Sequence, residues 1–213
     1  DYYPENGGVI FPNPNAPTSI YEDLEFVEDI IRHNQDVIVI VDEAYIDFAG
    51  ESALSLLDKY DNLIITQTFS KARSMAGMRI GYAIASPLLI KYLNDAKYSF
   101  NSYTMNKTSL VYGVEAVKDK EYFAETTRKI VETRDWAEEE FKKLGFVFPK
   151  PSANFIFVSH PEYDAKELFE AMKAKGIYVR FWGSERIEQY LRVTIGTREE
   201  MEALFAFLRE YMM

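Results

Sequence analysis

Residues 63–79 read LIITQTFSKARSMAGMR, and the fold is organised around the turn in this stretch. The apolar run from Leu63 to Thr68 is typical of a strand buried on both faces. Lys71 follows among small residues, and another apolar run begins at Met78. Because α/β sheets bind ligands outside the carboxyl ends of their strands, Lys71 is predicted to face a ligand crevice.

Apolar runs and helical patterns alternate around this turn. Val9–Phe11 and Asp36–Val41 precede it as further strand-like runs, and 78–84 follows it. Helical patterns lie between and after these runs, at 20–34, 52–59 and 87–96. This alternation predicts an α/β fold with a mainly parallel or mixed sheet.

The pattern changes after Ala96. Two long, charged helical stretches cover 106–144. They are followed by short strand-like runs at 146–148, 154–158, 177–181 and 190–195, with helical patterns at 164–175 and 198–212. We therefore expect a partial large α/β domain at 1–120 and a smaller C-terminal α+β domain at 121–213.

Several polar side chains follow the apolar strands. Ser70 and Arg79 flank Lys71 and are suited to holding a phosphate, Arg as a two-pronged donor, while a neutral lysine amine can bond covalently to a carbonyl carbon. Asp42 ends the strand before Lys71 and is suited to pairing with a cation, with Tyr45 three residues later. The alternatives are a surface loop lysine, an N-capping Asp and a packed Tyr.

Two further segments carry polar groups of interest. The turn 12–18, with Asn13 and Asn15 between prolines, follows the first strand; alternatively it is only a tight turn, with Thr18 or Ser19 capping the next helix. Arg180 and Arg192 lie in apolar strand-like runs of the second domain. Arginine in such a place needs an anion, either a substrate's acid group or one of the 34 acidic residues in a structural ion pair.

Composition excludes several classes of function. The net charge of −10 argues against a nucleic-acid partner. The chain has no cysteine and two histidines, so neither a disulfide framework nor a metal site is expected. No apolar run reaches the roughly 18 residues of a membrane span. Asp1–Glu5 shows no signal-peptide pattern, so a cytoplasmic location is expected, and the missing initiator Met suggests a fragment.

The order of these motifs resembles the fold-type I pyridoxal-phosphate (PLP) aminotransferases. The string from Thr68 to Gly77 is similar to the lysine-attachment signature of their class-II group. Three more segments are most similar to the histidinol-phosphate aminotransferase family: PNAPT (14–18), DEAY (42–45) and LRVTIGT (191–197).

The resemblance implies a role for each candidate residue. Lys71 would hold PLP covalently and act as the catalytic base, and Ser70 with Arg79 would hold the cofactor phosphate. Asp42 would pair with the pyridine nitrogen. The remaining implied contacts are Tyr45 and Asn15 to the cofactor, and Arg180 and Arg192 to the substrate anion. The implied partners are histidinol phosphate, 2-oxoglutarate and a second copy of the chain in a homodimer.

The sequence departs from the family pattern at three points. Ala16 stands where the family often has Asn, and Ser19 replaces a Gly. The N-terminal part, with a Gly-rich phosphate loop, a stacking aromatic and dimer contacts, has no counterpart here. Alternative functions are a related PLP enzyme, such as a threonine-phosphate decarboxylase or an aromatic aminotransferase, an inactive fragment that serves as a folded or dimerisation module, and an unrelated α/β binding domain.

Overall fold

The computed structural model describes residues 2, 3 and 5–212. Backbone contacts divide the chain into two compact units. The first unit comprises Asp1–Asn15 and Tyr21–Ala124, and the second comprises Ala16–Ile20 and Glu125–Met213. The domain boundary expected between 120 and 121 stays a prediction. Asp1 and Pro4, which belong to the segment considered for a signal peptide, lie outside the described residues.

The first unit is an α/β structure. Its strands are β1 (Val9–Pro12), β2 (Val39–Asp42), β3 (Leu63–Thr68) and β4 (Gly81–Ala85), and its helices are α1 (Leu24–His33), α2 (Pro87–Phe100) and α3 (Lys107–Lys118). Short 3₁₀ helices cover Ile46–Phe48, Ala53–Leu56 and Ala76–Met78. Helix α4 (Lys120–Lys143) begins in the first unit and continues into the second.

The four strands form one sheet in the order β1-β2-β3-β4. The first three strands are parallel, and β4 runs antiparallel to β3. The predicted mainly parallel sheet is therefore confirmed. The carboxyl ends of β1, β2 and β3 and the amino end of β4 share one edge, which we call the site edge.

Alternation along β2 and β3 separates the two faces of the sheet. Val39, Val41, Leu63 and Ile65 are fully buried and pack with α1 in one apolar cluster. Burying each such side chain contributes about 1.5–3 kcal/mol. Successive side chains of a strand point to opposite faces, so Asp42 and its neighbour across the sheet, Thr66, lie on the face away from this cluster.

Helix α1 begins later than the sequence pattern predicts. It starts at Leu24, where the Asp23 side chain accepts a hydrogen bond from the Phe26 N–H at 2.9 Å. Neither Thr18 nor Ser19 caps it, so that alternative was wrong. Asn13 holds Glu22 through two hydrogen bonds, in both directions, and this keeps the preceding segment out of the helix.

Several other expected elements are also shorter than predicted, and the strand expected at 177–181 forms only at Arg180–Phe181. The helical pattern at 52–59 forms only the 3₁₀ turn at Ala53–Leu56. The strand expected at 146–148 is a single bridge between Val147 and Ser159. Gly145, at φ 82°, turns the chain between the end of α4 and this bridge.

The second unit is a two-layer α+β structure. Its strands β5 (Phe155–Val158), β6 (Arg180–Phe181) and β7 (Leu191–Thr194) form an antiparallel sheet in the order β5-β7-β6. Helices α4, α5 (Ala165–Ala174) and α6 (Arg198–Tyr211) contribute to a single apolar core on one face of this sheet. The Thr197 capping box starts α6.

Membrane-spanning helices and metal-binding clusters are both absent from the described residues. In the part of the chain that the structure describes, no helix has the length and apolar character needed to cross a membrane. Over the same residues, no group of three or more His, Cys, Asp or Glu side chains is arranged to bind a metal ion.

Candidate functional site

The loop between β3 and β4 presents Lys71 at the site edge. Its base is fixed by Thr68, whose Oγ1 accepts from the Ser70 N–H at 3.1 Å and lies 3.2 Å from the Ile80 carbonyl oxygen. The Phe69 N–H also donates to Ile80, at 3.0 Å. These hydrogen bonds join the two ends of the loop, next to Lys71. The backbone that leads into Lys71 is therefore held in place.

The rest of the loop contains backbone outliers. Ser74 and Arg79 have φ angles of 54° and 55°, in the left-handed region that non-glycine residues seldom occupy. Each costs about 1–3 kcal/mol and persists only where the surroundings enforce it. The Ser74 N–H donates to the Lys71 carbonyl at 2.9 Å, and the Met75 N–H donates to Phe69 at 3.0 Å. Such strain is typical of functional loops.

Helix α3 holds the same loop from outside. The Arg73 Nη1 donates to the Ala116 carbonyl of α3 at 2.6 Å, and its guanidinium carbon lies 4.2 Å from the ring centroid of Phe123 at the start of α4. The Ser109 hydroxyl donates to the Met78 carbonyl at 2.7 Å. A Cβ at Gly113 would come within 2.9 Å of Ile80 Cδ1, so a larger residue there would require the Ile80 side chain to shift.

Asp42 and Tyr45 lie at the site edge after β2. Asp42 Oδ1 accepts from the Ala44 N–H at 3.0 Å, which fixes the turn. The Tyr45 ring is buried, and the Lys71 Nζ lies 5.1 Å from its centroid. Among the described residues, Lys71 makes no ion pair or hydrogen bond through its amine. The structure thus brings Lys71 and Tyr45 together, with Asp42 on the neighbouring strand end.

Beneath Asp42 lies a polar anchor that the sequence reasoning missed. Glu43 is only 2% exposed, and its carboxylate accepts hydrogen bonds from Ser52 Oγ at 2.6 Å, the Ala53 N–H at 2.7 Å and Gln67 Nε2 at 2.8 Å. A buried carboxylate with three donors is well satisfied. Strand alternation could have indicated this role, because it directs the Glu43 side chain to the face of the sheet opposite Asp42.

Tyr82 extends this anchor onto β4. Its hydroxyl donates to Gln67 Oε1 at 2.5 Å. Burial raises the pKa of Tyr82, the carboxylates of Asp47 and Glu43 add to this effect, and Arg73 opposes it. A tyrosine is protonated at neutral pH in any case, and the raised pKa extends the role of this phenol as a hydrogen-bond donor to more alkaline pH.

The other predicted cofactor contacts also lie at the site edge. Ser70 is partly buried beside Thr68, and Arg79 is exposed just before β4, with its Nη1 donating to the Ala76 carbonyl at 2.9 Å. Asn15 is partly buried in the segment that follows β1. Asn13 has the structural role described above, which agrees with the tight-turn interpretation for that residue.

Arg180 and Arg192 belong to the second unit. They face each other across the β6–β7 pairing. Among the described residues, no carboxylate lies within ion-pairing distance of either guanidinium group, so the structural ion pair considered as the alternative is not formed. Arg192 instead lies over the rings of Phe155 and Trp182, at 5.0 and 5.4 Å from their centroids.

Comparison with known proteins identifies relatives along almost the whole chain. A model of the family described as aminotransferase class I and II matches residues 3–208. Histidinol-phosphate aminotransferase of Clostridium botulinum strain Okra is 47% identical over 202 residues, and that of Brachyspira hyodysenteriae is 50% identical over 203 residues. Each alignment covers 95% of this chain and 57% of the relative.

A solved structure agrees with these relatives. Histidinol-phosphate aminotransferase of Sinorhizobium meliloti, in complex with pyridoxal-5'-phosphate, superposes with a TM-score of 0.86 at 26% identity. The match covers 97% of this chain and 57% of that protein. The two-unit fold is therefore that of fold-type I PLP aminotransferases, and the chain spans a little over half the length of the proteins it matches.

Proposed function

This chain belongs to the aminotransferase class I and II family, and from that premise we propose that it carries the cofactor-binding part of a histidinol-phosphate aminotransferase. The names of relatives that are 47–50% identical support this choice. Since the chain spans 57% of those relatives, the activity of a whole enzyme is itself part of the proposal.

The main observation behind the proposal is that the Lys71 amine lies close to the Tyr45 ring at the site edge. Lys71 Nζ lies 5.1 Å from the Tyr45 ring centroid and has no anionic partner among the described residues. An amine at this place on an α/β sheet is accessible to a ligand in the crevice outside the strand ends.

The polar groups at the site edge fit pyridoxal phosphate in their chemistry. The Lys71 amine suits its aldehyde, the Asp42 carboxylate suits a protonated ring nitrogen, and the Tyr45 hydroxyl suits its phenolic oxygen. Ser70 and Arg79 offer a hydroxyl and a fork of N–H donors for its phosphate. Asn15 offers an amide at the same edge. When bound, the cofactor supplies a ring that withdraws electrons from the amino-bearing carbon of the substrate.

The protein's own groups then have separate tasks. The Lys71 Nζ removes the proton from the amino-bearing carbon of the donor, as a general base. Asp42 holds a positive charge on its ligand by electrostatic pairing. Arg180 and Arg192 bind the anionic group of the substrate, which is a phosphate in histidinol phosphate and a carboxylate in 2-oxoglutarate.

We also propose that the enzyme acts as a homodimer in the cytoplasm. Supporting the dimer, α2 and α3 expose many large apolar side chains, and contiguous apolar surface of this kind is typical of protein interfaces. The cytoplasmic location is proposed from the similarity to histidinol-phosphate aminotransferases.

Cofactor binding tests the proposal directly. The purified chain is incubated with pyridoxal phosphate, desalted, and examined for the visible absorption of lysine-bound cofactor. We expect this band in the wild type and its loss in Lys71→Ala. Lys97→Ala is the matched control, because Lys97 also lies over a tyrosine ring, Tyr98, at 5.2 Å, but on α2. A band that survives in Lys71→Ala contradicts the proposal.

Substrate choice needs a separate measurement. Amino transfer to 2-oxoglutarate is compared for histidinol phosphate, aromatic amino acids and threonine phosphate, with decarboxylation products assayed in parallel. We expect histidinol phosphate to be the preferred donor. Preference for another donor, or carbon dioxide release from threonine phosphate, would retain the PLP site but change the assigned reaction.

A further inference from the structure

The two faces of the second unit's sheet differ in character. The helices cover the face that carries Ile156, Leu191 and Val193. Strand register places the other residues of these strands on the opposite face, where Phe157 lies beside Arg192, and Arg192 lies beside Arg180. This second face therefore combines aromatic rings with two cations.

The two arginines are adjacent like charges. Directly opposed like charges on an antiparallel pair destabilise a sheet. Among the described residues, neither guanidinium has a carboxylate partner, and the Arg192 Nε is buried without a hydrogen-bond acceptor. A buried donor without a partner is costly to maintain. An external anion between the two guanidinium groups would offset their mutual repulsion and offer an acceptor to the Arg192 Nε–H.

Trp182 contacts both guanidinium groups. Its ring centroid lies 5.3 Å from the guanidinium carbon of Arg180 and 5.4 Å from that of Arg192. The position of the ring is itself fixed, because Phe157 meets it edge-on at 6.3 Å and stacks on Tyr190 at 4.5 Å. Attraction between a cation and an aromatic face offsets part of the repulsion between the arginines.

A second arginine–tryptophan contact in the same unit differs from the one at Trp182 because its arginine has a carboxylate partner. The Arg198 guanidinium carbon lies 3.4 Å from the Trp136 ring centroid, and its Nε pairs with Glu202 at 3.0 Å. That arginine is already neutralised by a carboxylate. At Trp182, the ring replaces the carboxylate and leaves the charge of both arginines available.

We propose that Trp182 is a positioning residue that holds Arg180 and Arg192 side by side, so that together they bind one doubly charged anion. This rests on the proposed function, in which the two arginines bind the anionic group of the substrate. Two planar N–H forks can share the oxygens of one phosphate monoester, whereas a single carboxylate has only two oxygens to offer. The pair should therefore favour phosphate over a simple carboxylate.

Binding of inorganic phosphate and of acetate tests this inference without cofactor. Calorimetric titrations use an Arg79→Met background, so that the cofactor-phosphate contact proposed above does not contribute. We expect phosphate to bind more tightly than acetate. We expect Trp182→Leu to weaken phosphate binding about tenfold or more, and Trp182→Phe, which keeps a ring, to stay within about threefold. Circular dichroism checks that each variant is folded.

Two further variants separate the possible outcomes. Arg192→Met should lose phosphate binding, and Arg198→Met, the matched control from the other tryptophan contact, should not. Trp182→Leu that binds phosphate like the background protein overturns the positioning role. Equal binding of acetate and phosphate, or no phosphate binding at all, overturns the anion preference. None of these outcomes affects the visible band that depends on Lys71, so failure here is distinguishable from failure of the PLP proposal.

Discussion

In the second unit three helices and one face of the sheet enclose a single apolar core, whereas in the first unit α1 covers one face of the sheet and other apolar groups stay exposed. Phe141 and Phe205 of the second unit are at most 1% exposed, while Phe100 and Tyr103 of the first are 83% and 95% exposed. The exposed apolar residues of the first unit are concentrated on α2 (Leu88, Tyr92, Leu93, Tyr98, Phe100) and α3 (Leu110, Val111, Tyr112, Val114, Val117).

This difference shows which interactions stabilise each unit. The second unit is stabilised mainly by apolar packing. The first has a smaller closed cluster, and its site edge depends on buried polar contacts such as those of Glu43 and Arg73. The chain spans 57% of the length of a solved relative, and contiguous exposed apolar surface of this kind is typical of interaction sites.

The largest expected effect is in the core of the second unit. Phe141→Ala should lower the free energy of unfolding by about 3–5 kcal/mol, because it leaves a cavity against Phe146 and Phe205. Phe100→Ala, the matched exposed change in the first unit, should stay within about 0.5 kcal/mol. Urea unfolding followed by tryptophan fluorescence measures the second unit, which contains Trp136 and Trp182, and far-ultraviolet circular dichroism in the same titration measures both units. Equal losses would contradict the comparison.

A somewhat smaller effect is expected at the polar anchor of the first unit. Glu43→Ala leaves three donors without their acceptor and should destabilise the strands of the site edge by about 2–3 kcal/mol. Hydrogen exchange of the amides in 39–68 measures it. Glu51→Ala is the control, because Glu51 is exposed and bonds to Tyr21 through its backbone alone. Unchanged exchange in Glu43→Ala would show that polar contacts do not hold this edge.

A third effect concerns Ser19, which is fully buried at φ 65°. Its Oγ accepts from the Ser152 and Ala153 N–H groups at 3.0 and 2.8 Å, all within the second unit. Ser19→Ala loses this acceptor and keeps the left-handed backbone, so we expect a loss of about 1–3 kcal/mol. Ser19→Gly also loses the acceptor but relieves about 1 kcal/mol of backbone cost. Thermal unfolding should rank Gly above Ala; the reverse order would mean that backbone strain is unimportant here.

The sequence predicted the elements whose signal is local. Continuous apolar runs located β2 and β3, although the burial on both faces that such runs indicate is not reached, since β2 alternates between buried and partly buried residues. The same local logic placed Lys71, Asp42 and Arg79 at strand ends. The local patterns failed to predict the start of α1. There Asn13 fixes the backbone of Glu22, nine residues later, by hydrogen bonds that leave no trace in the periodicity of apolar residues.

The residues that support the site were not predictable in this way. Arg73 is 43 residues from Ala116, whose carbonyl it bonds, and the carboxylate of Glu43 is satisfied by donors up to 24 residues away. Trp182 acquires its two cationic partners only through the register of β6 and β7. Such contacts depend on tertiary packing, and for that reason single-sequence patterns do not reveal them.

The smallest expected effect depends on pH and involves Glu140 in the second unit. A hydrogen bond from Lys143 at 2.7 Å is the main cause that lowers the pKa of Glu140, and Arg209 adds to it against the opposing effect of burial. Because the folded pKa lies below the unfolded value of about 4.3, the ionised carboxylate stabilises the fold above that pH. This stabilisation is lost as the pH falls through the folded pKa.

Glu140→Gln should therefore reduce the unfolding free energy at neutral pH and reduce it less below about pH 4, where the wild-type carboxyl is itself becoming protonated. Urea unfolding followed by tryptophan fluorescence at several pH values measures the difference. Glu139→Gln is the control, since Glu139 is exposed and pairs with Lys142 at the surface, where an ion pair contributes about 0–1 kcal/mol. If the difference in unfolding free energy between wild type and Glu140→Gln stays constant down to pH 3, Glu140 stabilises the second unit by packing rather than by its charge. The contrast between the units would then rest on apolar contacts alone.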